Sequence, residues 1–112
     1  MTQSKFNPPG QASLSAAITG TGEAIAVNDC RQVSWKTIYP GTPPTTGTLL
    51  IEQAPTKDYA GTWNLVDTID CSQLSTGLSG FGTYPGQVDF FRGRFTVNAD
   101  QPITLYFNGL QN

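Results

Sequence analysis

The chain has 112 residues and no histidine, so the usual general base at neutral pH and the commonest metal ligand are both missing. A hydroxyl or thiol nucleophile needs such a base within hydrogen-bond reach. Gly77-Leu78-Ser79-Gly80 has none, and it also lacks the Gly-x-Ser-x-Gly form of a nucleophile elbow. Cys30 and Cys71 have no imidazole to activate them, and two thiols without further ligands do not make a metal site. They could close one disulfide if the protein meets oxidising conditions. The alternative, two reduced small apolar residues, is favoured by synthesis without an export signal. Asp67, Asp70 and Asp89 are the carboxylates that a glycosidase pair or a Ca²⁺ loop would draw on. Their spacing matches no EF-hand loop, and acids at turns commonly cap backbone N–H groups. Gly80-Phe81-Gly82 has no lysine and no following helix to hold a phosphate. No catalytic residue, cofactor or metal ligand set is assigned, so an enzyme is not expected and function must rest on surfaces.

The surface chemistry narrows the partners. A net charge of -2 with six basic residues, of which only Arg92 and Arg94 lie close together, offers no clustered positive face for nucleic acid. No stretch approaches the ~20 apolar residues of a membrane span. The opening MTQSKFNPPGQAS carries one Lys and no apolar h-region, so no secretory signal is read there and residence in the cytosol is expected. Charged residues make up only 12% of the chain, and neutral polar groups replace them: 15 Thr, 7 Ser, 8 Gln and 6 Asn. Thr favours strands, because its branched Cβ fits a pleated surface. The 12 Gly and 8 Pro, spread along the whole length, oppose long helices.

The elements that must carry these surfaces are therefore strands. Residues 1–11, with Pro8-Pro9-Gly10, show no periodicity and read as an extended arm; residues 12–112 read as one domain. Period-two alternation marks strands over 12–19, with Leu14, Ala16 and Ile18 on one face, and over 31–39, with Val33 and Trp35 inward. A short strand is expected over 23–27. Residues 48–53 hold three successive aliphatics, Leu49-Leu50-Ile51, and pair with 62–69, where Trp63 and Leu65 share a face. Alternation returns over 88–97 and 103–108, with Asn98 to Pro102 as the last hairpin turn. Residues 70–86 read as a long irregular loop, a type that is often functional. About seven strands at spacings near ten residues point to an all-β, antiparallel two-sheet sandwich, jelly-roll or immunoglobulin-like.

Aromatic rings divide by position. Trp35, Trp63, Phe91, Phe95 and Phe107 fall on apolar stripes and read as core. Trp63 in particular reads as a plug of the core beside Leu65. Tyr39, Tyr59, Phe81, Tyr84 and Phe90 lie in loops or on the other face, where large rings supply interface area. Together with Lys57 and Asp58 of the 55–61 loop, and Phe6, Pro8 and Pro9 of the arm, Tyr39, Tyr59, Phe81 and Tyr84 are the expected partner contacts.

One order of features carries a family likeness. The turn TGTG, a strand with a Trp, a Pro/Gly loop, GTLLIEQAP then GTWNLV, and finally GRFTVNADQPITLYFNG resemble the small β-sandwich virion accessory proteins of tailed bacteriophages, over about residues 19–108. The chain departs from that pattern with Ala54 where a Ser is expected, and with a longer loop from Pro55 to Gly61. The resemblance implies a capsid decoration, or cement, protein on the exterior of the virion, assembled in the host cytoplasm. Its partners would be the major capsid protein and copies of itself, as a dimer or trimer. The arm could clasp a neighbour by adding extended backbone to a sheet edge. The competing reading is a carbohydrate-binding or tail-fibre-like adhesin module of the same fold, because a fold does not fix a function.

Overall fold

The computed structural model describes residues 11–27, 30–77, 80–85 and 90–111, apart from the side chains of 30, 31, 85, 110 and 111. Eight strands follow one another: β1 (Gln11–Ala17), β2 (Ile25–Ala26), β3 (Cys30–Ile38), β4 (Thr48–Ala54), β5 (Asn64–Asp70), β6 (Phe81–Pro85), β7 (Phe90–Val97) and β8 (Ile103–Gln111). A 3-10 helix, Cys71–Thr76, stands between β5 and β6. The strands form two antiparallel sheets, in the orders β1-β8-β3-β6 and β2-β7-β4-β5. The expected all-β sandwich is thus what the chain forms. Its first and last strands pair, and the chain changes sheet at every connection except the β4–β5 hairpin, which is the jelly-roll arrangement.

Three expectations are corrected. The 70–86 segment is not irregular: it holds the 3-10 helix and an edge strand, β6, which pairs with β3 from Lys36↔Phe81 to Gln32↔Pro85. The 98–102 turn is not a hairpin, since β7 and β8 belong to different sheets. In β1, Leu14 is buried but Ala16 and Ile18 are exposed, while Ser13 is buried. The register slips between Ala12 and Leu14 and again between Leu14 and Ala17, and Ala16 takes a φ of 48°. Such bulges turn the following side chains over. The departure has local bonds behind it. Ser13 Oγ donates to the Glu23 carbonyl (2.6 Å) and accepts from Gly93 N (3.1 Å), while Ala16 N donates to Thr104 Oγ1 (2.9 Å).

Between the sheets lies a continuous core that includes Leu14, Val33, Trp35, Leu49, Ile51, Ile69, Phe91, Phe95, Leu105 and Phe107. At its centre Phe91 of one sheet meets three rings of the other. Its ring centroid is 6.1 Å from Trp35, 5.4 Å from Phe107 and 5.8 Å from Tyr84, the last edge-on. Offset and edge-on pairs at these distances are favourable beyond the area they bury.

The corner joining β1 to β7 tolerates no side chain at Gly22. Gly22 N donates to Gly93 O (2.7 Å), and a Cβ on Gly22 would stand 2.8 Å from the carbonyl carbon of Ser13, which is backbone and cannot swing away. Gly22→Ala is therefore expected to lower the unfolding free energy by about 1–3 kcal/mol in urea denaturation, with little change in m. An unchanged midpoint would mean that the corner is slack.

Candidate functional site

The residues read as partner contacts do not converge. Phe6, Pro8 and Pro9 lie outside the described residues, as does Asp89. Lys57, Asp58 and Tyr59 are exposed in the β4–β5 hairpin loop. That loop lies at the far end of β4 from Gly47, whose carbonyl accepts from Cys71 N (3.0 Å) at the start of the 3-10 helix. Tyr39 and Tyr84 pack partly buried against the core, so Tyr84 serves the fold through Phe91. Phe81 alone among these aromatics stands well out of the surface, 61% exposed.

Phe81 borders a groove of about 670 Å³ at the β6 edge of the first sheet. The local chain explains its walls. Asp70 caps the 3-10 helix by accepting from Ser72 N (3.0 Å) and Ser72 Oγ (2.7 Å), and Gly77 ends it in a left-handed conformation (φ 74°) with its N–H on the Leu74 carbonyl (3.2 Å). The returning chain is pinned where Thr37 donates to Gly80 O through both N (2.6 Å) and Oγ1 (3.0 Å). β6 then runs beside β3 with Gly82 opposite Trp35. The indole lies over that glycine, where a Cβ would come within 2.5 Å of Trp35 Cζ2. Ser34, Lys36, Thr83 and Asn108 complete the polar lining, and Lys36 is its one charge among the described residues.

On the opposite outer face, β4 and β7 present a second cluster that sequence reasoning missed. Glu52 is only 4% exposed although it points away from the core. It accepts from Arg92 Nε (3.1 Å) and from Arg94 Nε (3.1 Å) and Nη2 (2.9 Å). Burial by itself would raise the Glu52 pKa. The hydrogen bonds and charges of Arg94 and Arg92 outweigh that, so its carboxyl sits below the usual carboxylate value. Arg92 also stacks over Trp63, its Cζ 3.9 Å from the ring centroid, and Trp63 Nε1 donates to the Tyr59 carbonyl (3.1 Å). Trp63 is thus a plug, only 7% exposed, but a plug of this outer face and not of the inter-sheet core. Leu65 does not share its burial. A register slip between Ile51 and Glu52 turns Leu65 outward, 55% exposed. Arg92 and Arg94, two apart in a strand, were the visible signal of one polar face; the acid between them was hidden by the aliphatic run before it.

Asp67 and Asp100 serve local structure. Asp67 accepts from Thr68 N (2.8 Å). Asp100 accepts from Thr45 Oγ1 (2.5 Å), Thr45 N (2.8 Å) and Thr46 N (3.2 Å), which hold its pKa at about 2. Cys71 is a free thiol, buried and pushed up to about 11 by that burial. The side chain of Cys30, the bridge partner weighed for it, lies outside the described residues. Among the described residues no group of three His, Cys, Asp or Glu side chains is placed to hold a metal ion.

No protein-family model and no curated protein matches the sequence. The fold is similar to the crystal structure of the SPBc2 prophage-derived protein YomS. The TM-score is 0.56, the match covers 99% of this chain and 97% of that one, and the sequence identity is 10%. At that identity the likeness is one of fold.

The Glu52 cluster has a measurable signature. A carboxyl whose folded pKa is depressed adds stability above its unfolded pKa, and that stability is lost as pH falls through the folded value. Stability should therefore drop as pH falls below the ordinary carboxylate range, with Asp100 extending the loss toward pH 2. Glu52→Gln should cost about 2 kcal/mol at pH 7 and flatten the upper part of that acid limb in urea titrations. A variant with the wild-type acid limb would rule the cluster out as its source.

Proposed function

We propose that the chain is a non-enzymatic structural component of a phage particle, a decoration protein that binds the outer capsid surface and stabilises the shell. The observation that carries this reading is the end-to-end fold likeness to a prophage-derived protein, which leaves almost none of either chain unaccounted for. The surface chemistry is compatible. Ile38 and Phe81 on one sheet and Leu65 and Val97 on the other stand exposed, apolar area that a partner protein would cover. The edge strand β6 holds no charged residue, so charge does not blunt it against pairing. On a symmetric shell, many copies of a weak contact add up to firm attachment.

The test is quantitative mass spectrometry of particles purified from the phage that encodes the chain. A copy number close to that of the major capsid protein is expected, with the free protein a dimer or trimer by light scattering. Absence from purified particles, or only a few copies per particle, would contradict a decoration role.

A further inference from the structure

The four edge strands of the two sheets, β1, β6, β2 and β5, differ in what they can pair with. β1 slips register twice and passes through the positive φ of Ala16. β2 is two residues long. β5 carries Asp67 and Asp70 and no base, and Asp67 already takes the Thr68 N–H (2.8 Å). β6 is regular against β3 and uncharged. One bond fixes the direction of its free groups. Gly80 O accepts from Thr37 N (2.6 Å), so that carbonyl points at β3. In a trans peptide the N–H of Phe81 lies opposite that carbonyl and so points away from β3. Alternation along the strand aims the N–H and C=O of Thr83 the same way. Pro85 comes next on that side, where its missing N–H removes nothing from the β3 ladder.

We propose that β6 pairs antiparallel with β6 of a second copy of this chain, about a two-fold axis through Thr83. The stretch Phe81-Gly82-Thr83-Tyr84-Pro85 is its own complement in that register. Thr83 meets the partner's Thr83, and the two exchange both main-chain bonds. Phe81 N–H donates to the carbonyl of the partner's Pro85, and the proline, which has no N–H to return, ends the ladder there. On the inner face Tyr84 falls opposite the partner's Gly82, which has no side chain to meet it. On the outer face Phe81, 61% exposed, falls diagonal to the partner's Thr83, within reach of an aromatic ring. No charge of β6 opposes another in this pairing, whereas β5 paired on itself would bring only acids together. Five residues of edge make a small interface, so the pair is weak in solution, with a dissociation constant of about 10 µM to 1 mM. The proposal deepens the self-association of the decoration reading, but its geometry does not depend on a capsid.

A residue that opposes itself makes the test internal. The full chain is followed by sedimentation equilibrium from about 5 µM to 1 mM, where a reversible monomer–dimer equilibrium is expected. Thr83 is exposed, so Thr83→Lys and Thr83→Glu should both fold as the wild type does. Each should weaken the dimer at least about tenfold, because like charges then face one another across the axis. An equimolar mixture of the two should associate to within about threefold of the wild type, because unlike charges then face one another. On dilution of the wild type, the Phe81 and Thr83 amide signals in ¹H–¹⁵N NMR should move further than those of Gly82 and Tyr84, which bond β3. A monomer throughout, a dimer or trimer that neither variant weakens, a mixture no tighter than either variant alone, or unmoved Phe81 and Thr83 amides would overturn the proposal. Each of those results leaves the decoration reading standing, since copy number in purified particles is measured independently.

Discussion

Phe91 is held by three rings of the opposite sheet, and most of the molecule depends on that contact. Trp35, Tyr84 and Phe107 come from β3, β6 and β8, which are neighbours in sheet order, so one ring from β7 secures three strands at once. A short edge strand such as β6 has little to keep it in place beyond its ladder with β3. Tyr84 adds the inter-sheet anchor that it would otherwise lack. The same arrangement shapes the surface. Trp35 packs on Phe91 and spreads across the inner side of Gly82, so one ring covers both the core and the backbone of the β6 edge.

The two sheets solve the problem of polar groups on a chain poor in charge in opposite ways. On β4 and β7 the buried Glu52 has both of its oxygens occupied by arginines, and Arg92 is itself backed by Trp63. That surface is complete. A fully satisfied network of this kind specifies a local structure more than it invites a ligand. On the other sheet the Trp35 indole, on the inner face, and the Asn108 amide oxygen, on the outer face, have no hydrogen-bond partner among the described residues.

Legibility in the sequence followed the regularity of each strand. Along β3, β7 and β8 the alternation correctly separates Val33, Trp35, Phe91, Phe95, Leu105 and Phe107 from the outward residues, because each inward residue there keeps a cross-strand partner without interruption. Around Ser13 to Ala17 and at Val66 the register slips, and a period-two reading then assigns Ala16, Ile18 and Leu65 to the wrong side. β6 was invisible because Gly82 and Thr83 interrupt any apolar pattern. The 98–102 turn misled because a turn sequence does not reveal which sheet the next strand joins. Phe81 was legible as an exposed ring. The groove beside it was not, since its lining comes together from β3, β6, β8 and the 3-10 helix.

The inter-sheet aromatic contact is tested most directly by asking whether the two sheets unfold together. Trp63→Phe leaves Trp35 as the sole tryptophan, reporting the core from the first sheet; Trp35→Phe leaves Trp63, reporting the outer face of the second. In each variant, urea unfolding followed by fluorescence should coincide with unfolding followed by far-UV circular dichroism, as one cooperative unit requires. Separate transitions, with fluorescence of either tryptophan changing at a lower urea concentration than the circular dichroism, would show that Phe91 and its three neighbours do not bind the sheets into one structure.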